Sequence, residues 1–373
     1  AGRIRAALSL ASTEQDVPVV PNALAANPWL LNCQNGTIRL PRFPGESATL
    51  LPHNKADMIT KIAAARFAPG PFPTAWDQFV SQILVGDEDL YGFVQRALGY
   101  ALTGVVRDHA IFIPHGSGRN GKSTMFETVS TILGGYAAHC PMNTFAGKNN
   151  EQIPNDLARL KGARMVVATE SDHGMKLREA TVKRLTGGDK VVARFLHQEF
   201  FEFFPTFKIF LVCNHKPRIV GTDRAIWERV HLMPFDYIIP REAQDPELPD
   251  KLLAERDAIL NWLVAGCEMW ATDRVGTCAA VMGATGGYRV EMDTLQMFLD
   301  AECDQQPEAQ IRSSDLYKIY MAWAKANGEY STSQTTFSVR LKELGYKTIK
   351  GRTGNLWNGI GARTTQSMDF HNP

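Results

Sequence analysis

Apolar positions along the chain follow two periods. Between residues 76 and 101 they fall three and four apart. Trp76, Phe79, Val80, Ile83 and Leu84 share one face, and Leu90, Phe93, Val94, Ala97, Leu98 and Ala101 share a second. This spacing predicts two amphipathic helices, the second capped by Asp87 or Asp89, and together a small helical subdomain over 74–105. Three other stretches are short, continuous and branched: Ile111-Phe112-Ile113, the centre of 163–169, and 207–213. By length and branching they read as buried parallel strands. Met125, Phe126, Val129, Ile132 and Leu133 return to helical spacing after the first of them. The alternation predicts an α/β core with a parallel sheet over 106–240.

The flanks are less regular. Residues 1–73 open on a short amphipathic stretch, then Pro18, Pro21 and Pro28 read as a connector. Asn35-Gly36 between two short apolar runs predicts a tight β-hairpin, and the breaker cluster 69–73 closes this part. Leu252, Leu253, Ile259, Leu260, Leu263 and Val264 mark a helical region, and the Gly- and Ala-rich stretch 277–287 reads as a linker, so 241–287 is assigned as helices plus linker. Over 288–362, Leu295, Phe298 and Leu299 form one stripe. Ser313-Ser314-Asp315 can cap a helix carrying Leu316, Ile319, Tyr320 and Trp323, and Ser333 another carrying Phe337, Leu341 and Leu344. Two short strands, 346–350 and 356–360, follow. Helices ending in a β-hairpin suggest a winged helix, in which Lys342, Lys347, Lys350 and Arg352 either touch phosphate or form a solvated basic face. Residues 363–373 read as a disordered tail.

Composition narrows the class without choosing within it. The 373 residues are 44% hydrophobic and 21% charged with net charge +1, ordinary for a soluble globular protein. No apolar run approaches the roughly 18 residues of a membrane span. Six scattered cysteines, without C-x-x-C spacing, fit a reducing, cytoplasmic compartment and no zinc site. Charge this balanced confines any nucleic-acid contact to a channel or one small domain. The opening AGRIRAALSL lacks Met and a secretory pattern, as a piece cut from a longer chain would.

Chemistry concentrates at 111–124, IFIPHGSGRNGKST. Gly116 to Ser123 is G-x-x-x-x-G-K-S after a strand and before a helix. Gly116, Ser117, Gly118, Arg119, Asn120 and Gly121 form a loop whose backbone N–H groups can face phosphate oxygens. Lys122 neutralises β/γ charge, and Ser123, followed by Thr124, offers its hydroxyl to Mg²⁺. A nucleoside triphosphate is the expected ligand. Hydrolysis needs a group to polarise water and another to read the γ-phosphate. Glu170, at the end of the second strand, fits the first role, with Asp172 a weaker candidate for the metal shell. Asn214, after the third strand, can serve the second, although an Asn there is also an ordinary turn residue. Between these strands, two β-rich runs surround a polar tip near 197–199. Lys190, Arg194 and His197 could reach a phosphate backbone from it, and a merely solvated hairpin fits equally.

The order of these motifs, GSGRNGKST, VVATES, KRLTGGDKVVARF, FKIFLVCNHKP and GTDRAIWERVHLMPF, resembles the superfamily III helicases. More narrowly it is similar to the helicase part of phage and plasmid primase-helicases, with poxvirus primase-helicase more distant. The likeness is strongest over 50–240, and the winged helix also matches. It implies an AAA+-like P-loop NTPase core, ATP and Mg²⁺ as cofactors, and a homo-oligomeric, hexameric ring with single-stranded DNA in its channel. A primase domain and other replication proteins are implied as partners, with no membrane. Activity would be in the host cytoplasm if the gene is phage- or plasmid-borne. By the resemblance, Gly116, Gly121, Lys122, Ser123 and Thr124 match the phosphate loop, and Glu170 the second-motif acid, serving catalysis and Mg²⁺. The family's usual acidic pair is Thr169-Glu170 here. Lys183, Gly187, Gly188, Asp189 and Arg194 match the motif before a DNA-facing hairpin, which favours DNA binding by Lys190 and His197, and Asn214 matches a polar sensor. Where the family often has two arginines after Trp227 only Arg229 remains, implied as the finger reaching a neighbour's ATP, with Arg224 and Arg218 as alternatives. The function implied is an ATP-dependent replicative DNA helicase. An origin-binding or loading ATPase without unwinding, or a P-loop metabolic NTPase, are the alternatives.

Overall fold

The structure, a computed structural model, describes residues 2–14, 19, 23–68, 70, 73–147, 155–169, 175–196, 198–221, 223–329, 331–351 and 354–363. Pro18, Pro21, most of the 69–73 breaker, the polar stretch 148–154 and the tail beyond Arg363 lie outside them. The chain divides into two units, 1–288 and 289–373.

Unit one opens with helix α1 (Gly2–Ala11), none of whose residues is buried. Strands β1 (Leu30–Cys33), β2 (Gly36–Arg39) and β3 (Thr49–Leu51) form an antiparallel sheet around the Asn35-Gly36 turn. Helices α2 (Thr74–Ile83) and α3 (Glu88–Tyr100) follow, and the Asp87 carboxylate accepts from the Leu90 N–H as the cap of α3. Their apolar faces are the ones the periodicity gave: Trp76, Phe79, Val80, Ile83, Phe93, Val94, Ala97 and Leu98 are all buried.

The central sheet forms on three continuously apolar runs and adds two strands interrupted by His139 and His231. It comprises β4 (Ile111–His115), β5 (Ala137–Pro141), β6 (Met165–Thr169), then β9 (Lys208–Val212) and β10 (Val230–Pro234), in the order β10-β4-β9-β6-β5, all parallel. Helix α4 (Lys122–Leu133) joins β4 to β5, and α5 (Asn155–Arg159) precedes β6. Helix α6 (Glu179–Gly187) leads into the short hairpin β7 (Val191–Ala193) and β8 (Phe201–Phe203), and α7 (Arg224–Trp227) into β10. Parallel strands need both faces covered. Phe112, Met165, Val167, Phe210 and Val212 accordingly share a core with α2, α3 and α4, and Ile111, Val166, Ile209 and Leu211 are buried as well. The sequence motif, the sheet and its flanking helices make this a P-loop NTPase core.

Two buried cations hold the foot of this sheet. Arg164, one residue before β6, donates to the Leu102 and Leu30 carbonyls, and Lys208, opening β9, donates to the carbonyls of Thr103 and Val105. These carbonyls include those just past α3, so the cations meet the negative end of its dipole. Burial lowers the Arg164 pKa to about 10 and that of Lys208 well below its ordinary value.

Helices α8 (Leu248–Ala254) and α9 (Arg256–Asp273) return over the helical subdomain. A Cβ on Gly99 of α3 would lie 2.1 Å from the Gly266 carbonyl carbon of α9, so two glycines let these helices touch backbone to backbone. The stretch 277–287, read from sequence as a linker, is instead largely helical: α10 runs Ala279–Met292. Its alanines have high helix propensity, while added Cβ atoms at Gly283, Gly286 and Gly287 would meet nothing, so these glycines sit on an open face. Val281 and Tyr288 are buried, Tyr288 edge-on to Trp227 with centroids 5.3 Å apart. No described helix is long and apolar enough to cross a membrane.

Unit two has α11 (Thr294–Glu302), β11 (Cys303–Asp304), β12 (Gln310–Arg312), α12 (Ser313–Ala326) and α13 (Gln334–Glu343), then β13 (Lys347–Gly351), β14 (Gly354–Asn358) and β15 (Gly361–Ala362). β12, β14 and β13 pair antiparallel, and β11 pairs with β15. Leu295, Phe298, Tyr320, Phe337, Leu341 and Trp357 form its core. Ser333 caps α13 by accepting from Thr336 N–H, as expected. α12 differs: Arg312 stands at its cap without a side-chain bond, because Ser313 is already helical. Arg352 lies outside the described residues.

Candidate functional site

The loop 116–121, the candidate phosphate loop, is shaped by what surrounds it. β4 delivers the chain to Gly116, where an added Cβ would lie 2.2 Å from the Phe235 carbonyl oxygen and 2.3 Å from Asn120 Nδ2. Gly118 and Gly121 have φ of 93° and 77°, and Arg119 takes φ 51°. A left-handed L-residue costs roughly 1–2 kcal/mol. Here the bend is held by the Ile239 N–H donating to the Arg119 carbonyl at 2.9 Å. Gly121 packs against the helical subdomain: its Cβ would meet Ile83 Cγ2 at 2.6 Å and the Phe79 ring at 3.0 Å. The subdomain therefore buttresses the loop directly.

Gly121 is also the N-terminal cap of α4, and no acidic residue occupies the first turn of that helix. Its N-terminus thus keeps the positive character that favours an anion. Lys122 is buried, donating from Nζ to the Gly116 carbonyl at 2.8 Å, to Asn120 Oδ1 at 3.0 Å and to Asn214 Oδ1 at 3.4 Å. Asn120 is buried too, its amide donating to the Phe235 carbonyl at 2.9 Å. It serves as a strut for the loop as well as a partner of Lys122. Ser117, Arg119 and Ser123 are exposed, and Gly118 and Thr124 half-buried.

Asn214 joins this loop because β9 lies beside β4, with a further bridge between His115 and Cys213. Two groups from distant sequence therefore meet at the carboxyl ends of neighbouring parallel strands, where open α/β sheets bind ligands. Thr169 ends β6 one strand further, in register with Val212. Glu170 and Asp172 lie outside the described residues.

Arg229 does not form either ion pair that its neighbours Glu228 and Asp236 offer in sequence. Its guanidinium donates from Nε to Thr186 Oγ1 at 3.2 Å and from Nη1 to the Ala225 carbonyl at 2.6 Å. Arg224 is the more exposed arginine, at 86%, and pairs with Glu228 at 2.5 Å. Arg218 lies in the backbone bridge with Lys176. In the GGD region, Lys183 pairs with Asp223, while Glu179 accepts from the Val220 and Gly221 N–H groups.

On the β7–β8 hairpin, Lys190 is paired with Glu202 at 2.9 Å, and Arg194 sits over the Phe200 ring, 4.9 Å from its centroid. His197 lies outside the described residues. The exposed rings here, Phe200 at 54% and Phe204 at 62%, went unremarked in the sequence. Their signal is the same period of two that runs through Lys190, Val192 and Arg194.

Known proteins resemble this chain along its length. A family model described as "D5 N terminal like" matches residues 1–85, "Family of unknown function (DUF5906)" 115–229, and "Poxvirus D5 protein-like" 290–357. Protein 022R of Frog virus 3 (isolate Goorha), named as a candidate helicase, is 26% identical over 339 residues, covering 83% of this chain and 33% of its own. Protein L207/L206 of Acanthamoeba polyphaga mimivirus, named likewise, is 30% identical over 65% of this chain and 27% of its own. The chain thus spans about a third or less of these relatives. The apo C-terminal region (305–718) of NrS-1 superposes with TM-score 0.52 at 12% identity, over 80% of this chain and 77% of that one, a likeness of fold.

Proposed function

We propose that this chain, a primase-helicase-like protein of the phage and viral kind, is the ATP-driven motor of a replicative DNA helicase. The reading rests above all on Lys122 and Asn214 converging at the mouth of a phosphate loop. The anion-favouring N-terminus of α4 and the candidate-helicase names of the viral relatives support it further.

In this reading the loop 116–121 cradles the triphosphate through its backbone N–H groups. Lys122 exchanges its present oxygen partners for β/γ-phosphate oxygens, so its charge is already desolvated and aimed before the ligand arrives. Asn214, alongside, reads the γ-phosphate or the attacking water. Ser123 and Glu170 would hold Mg²⁺, which offsets phosphate charge when bound, and Glu170 would also polarise water. Arg229 is the finger offered to a neighbour's ATP in an AAA+-like hexameric ring, with Arg224 and Arg218 as alternatives. A finger of this kind contributes ~10³–10⁵ in turnover. Lys190, Arg194 and His197 would contact single-stranded DNA in the channel, and unit two would act as a winged helix. The work would take place in the cytoplasm with other replication proteins, a primase domain among them.

Strand displacement on a forked duplex tests the reading. ATP-dependent separation, abolished by Lys122→Ala, is expected. DNA binding and hydrolysis without separation would favour a loading ATPase instead.

A further inference from the structure

The outward face of the β7–β8 hairpin is a ladder rather than a basic patch. Val192 pairs with Glu202 across the strands, and Val191 with Phe203 and Ala193 with Phe201 to either side. That register sets Lys190 opposite Phe204 and Arg194 opposite Phe200. Strand side chains alternate between faces, so Lys190, Val192, Arg194, Phe200, Glu202 and Phe204 all lie on the outer one. Val191, Ala193 and Phe203 are buried on the inner one. Each end of the ladder is a cation over a ring, Lys190 at 5.8 Å from the Phe204 centroid and Arg194 at 4.9 Å from that of Phe200. The two ends differ in charge. Glu202 neutralises Lys190, whereas Arg194 makes no ion pair among the described residues.

Rings this exposed lose nothing of the hydrophobic effect if they meet a second flat apolar surface. A cation beside them excludes a basic partner and suits a polyanion. We propose that this face is a base-stacking platform for single-stranded DNA, with the Arg194–Phe200 pair at the tip as its principal clamp. One side of Phe200 is covered by the guanidinium and the ring's remaining surface takes a nucleobase, while Arg194 answers the adjoining phosphate. The strand is gripped through its bases, with only a small share of the binding from phosphate charge because Lys190 is already paired. This rests on the reading that the chain binds single-stranded DNA, and it replaces phosphate contact by stacking as the source of grip.

The test is fluorescence anisotropy of the full chain with a labelled oligothymidine and with an abasic oligomer of equal length and charge. The abasic strand is expected to bind roughly 10-fold more weakly, about the effect of one base–aromatic stack. Phe200→Ala should lose a similar factor, Phe200→Leu should fail to restore it, and Phe200→Trp should restore it. Equal binding of both oligomers, insensitive to Phe200→Ala, would overturn the platform and leave DNA binding itself intact. Failure of both oligomers to bind, even at low salt, would contradict the DNA reading and the platform with it.

Discussion

Lys122 Nζ lies 3.4 Å from Asn214 Oδ1, across 92 residues of sequence. One residue opens α4 and the other follows β9, and the pairing of β9 beside β4 brings them together. The amide is thus fixed beside the ammonium that would meet the triphosphate. An amide aimed at charge that develops during reaction contributes on the order of 10²-fold to turnover. Asn214→Ala is expected to lower kcat for ATP hydrolysis by about that factor, with the nucleotide KM within a few-fold. Steady-state kinetics measures both, and an unchanged kcat would remove Asn214 from the chemistry.

Gly121 ties the loop to the subdomain beneath it. Its φ of 77° and the 2.6 Å approach of a would-be Cβ to Ile83 leave no room for a side chain. Gly121→Ala combines left-handed strain with overpacking, and should cost about 2–4 kcal/mol of stability. Urea unfolding reports the loss. A shift below about 0.5 kcal/mol would mean that the loop and α2 move apart at no cost.

The core carries its own pH dependence. His231 of β10 is half-buried, its ring packed on Phe93 and Phe112, and the loss of hydration there pulls its pKa down to about 4. The unfolded chain binds this proton more readily than the folded one, so the stability is full above about 6.5 and is lost as pH falls through about 4. A depression of that size corresponds to about 3 kcal/mol. His231→Phe should flatten the decline between pH 6.5 and 4 in denaturant midpoints. A variant as acid-sensitive as the parent would assign the effect elsewhere.

Much of the architecture was legible because it depends on local pattern. The strands at 111–113, 165–168 and 208–212, the helices of the subdomain and the Asn35-Gly36 turn all emerged from periodicity and turn chemistry. β5 and β10 did not, since His139 and His231 interrupt their apolar runs and only neighbouring strands make them part of the sheet. The helix α10 was hidden by its glycines, which suggest a linker until one sees that they face open space. At the candidate site, the spacing of Gly116, Gly121 and Lys122 is the local signal on which the phosphate-loop reading rests. The convergence of Asn214 on Lys122 and the turning of Arg229 onto Thr186 are tertiary facts with no local signature. The pairing of Lys190 with Glu202 is likewise a matter of register across a hairpin.

In the proposed function, a DNA-coupled ATPase is built around Lys122. The most direct measurement is ATP hydrolysis by the chain with and without single-stranded DNA, beside Lys122→Ala. The expected result is turnover that rises on adding DNA and disappears in the variant. Turnover indifferent both to DNA and to the loss of Lys122 would contradict it.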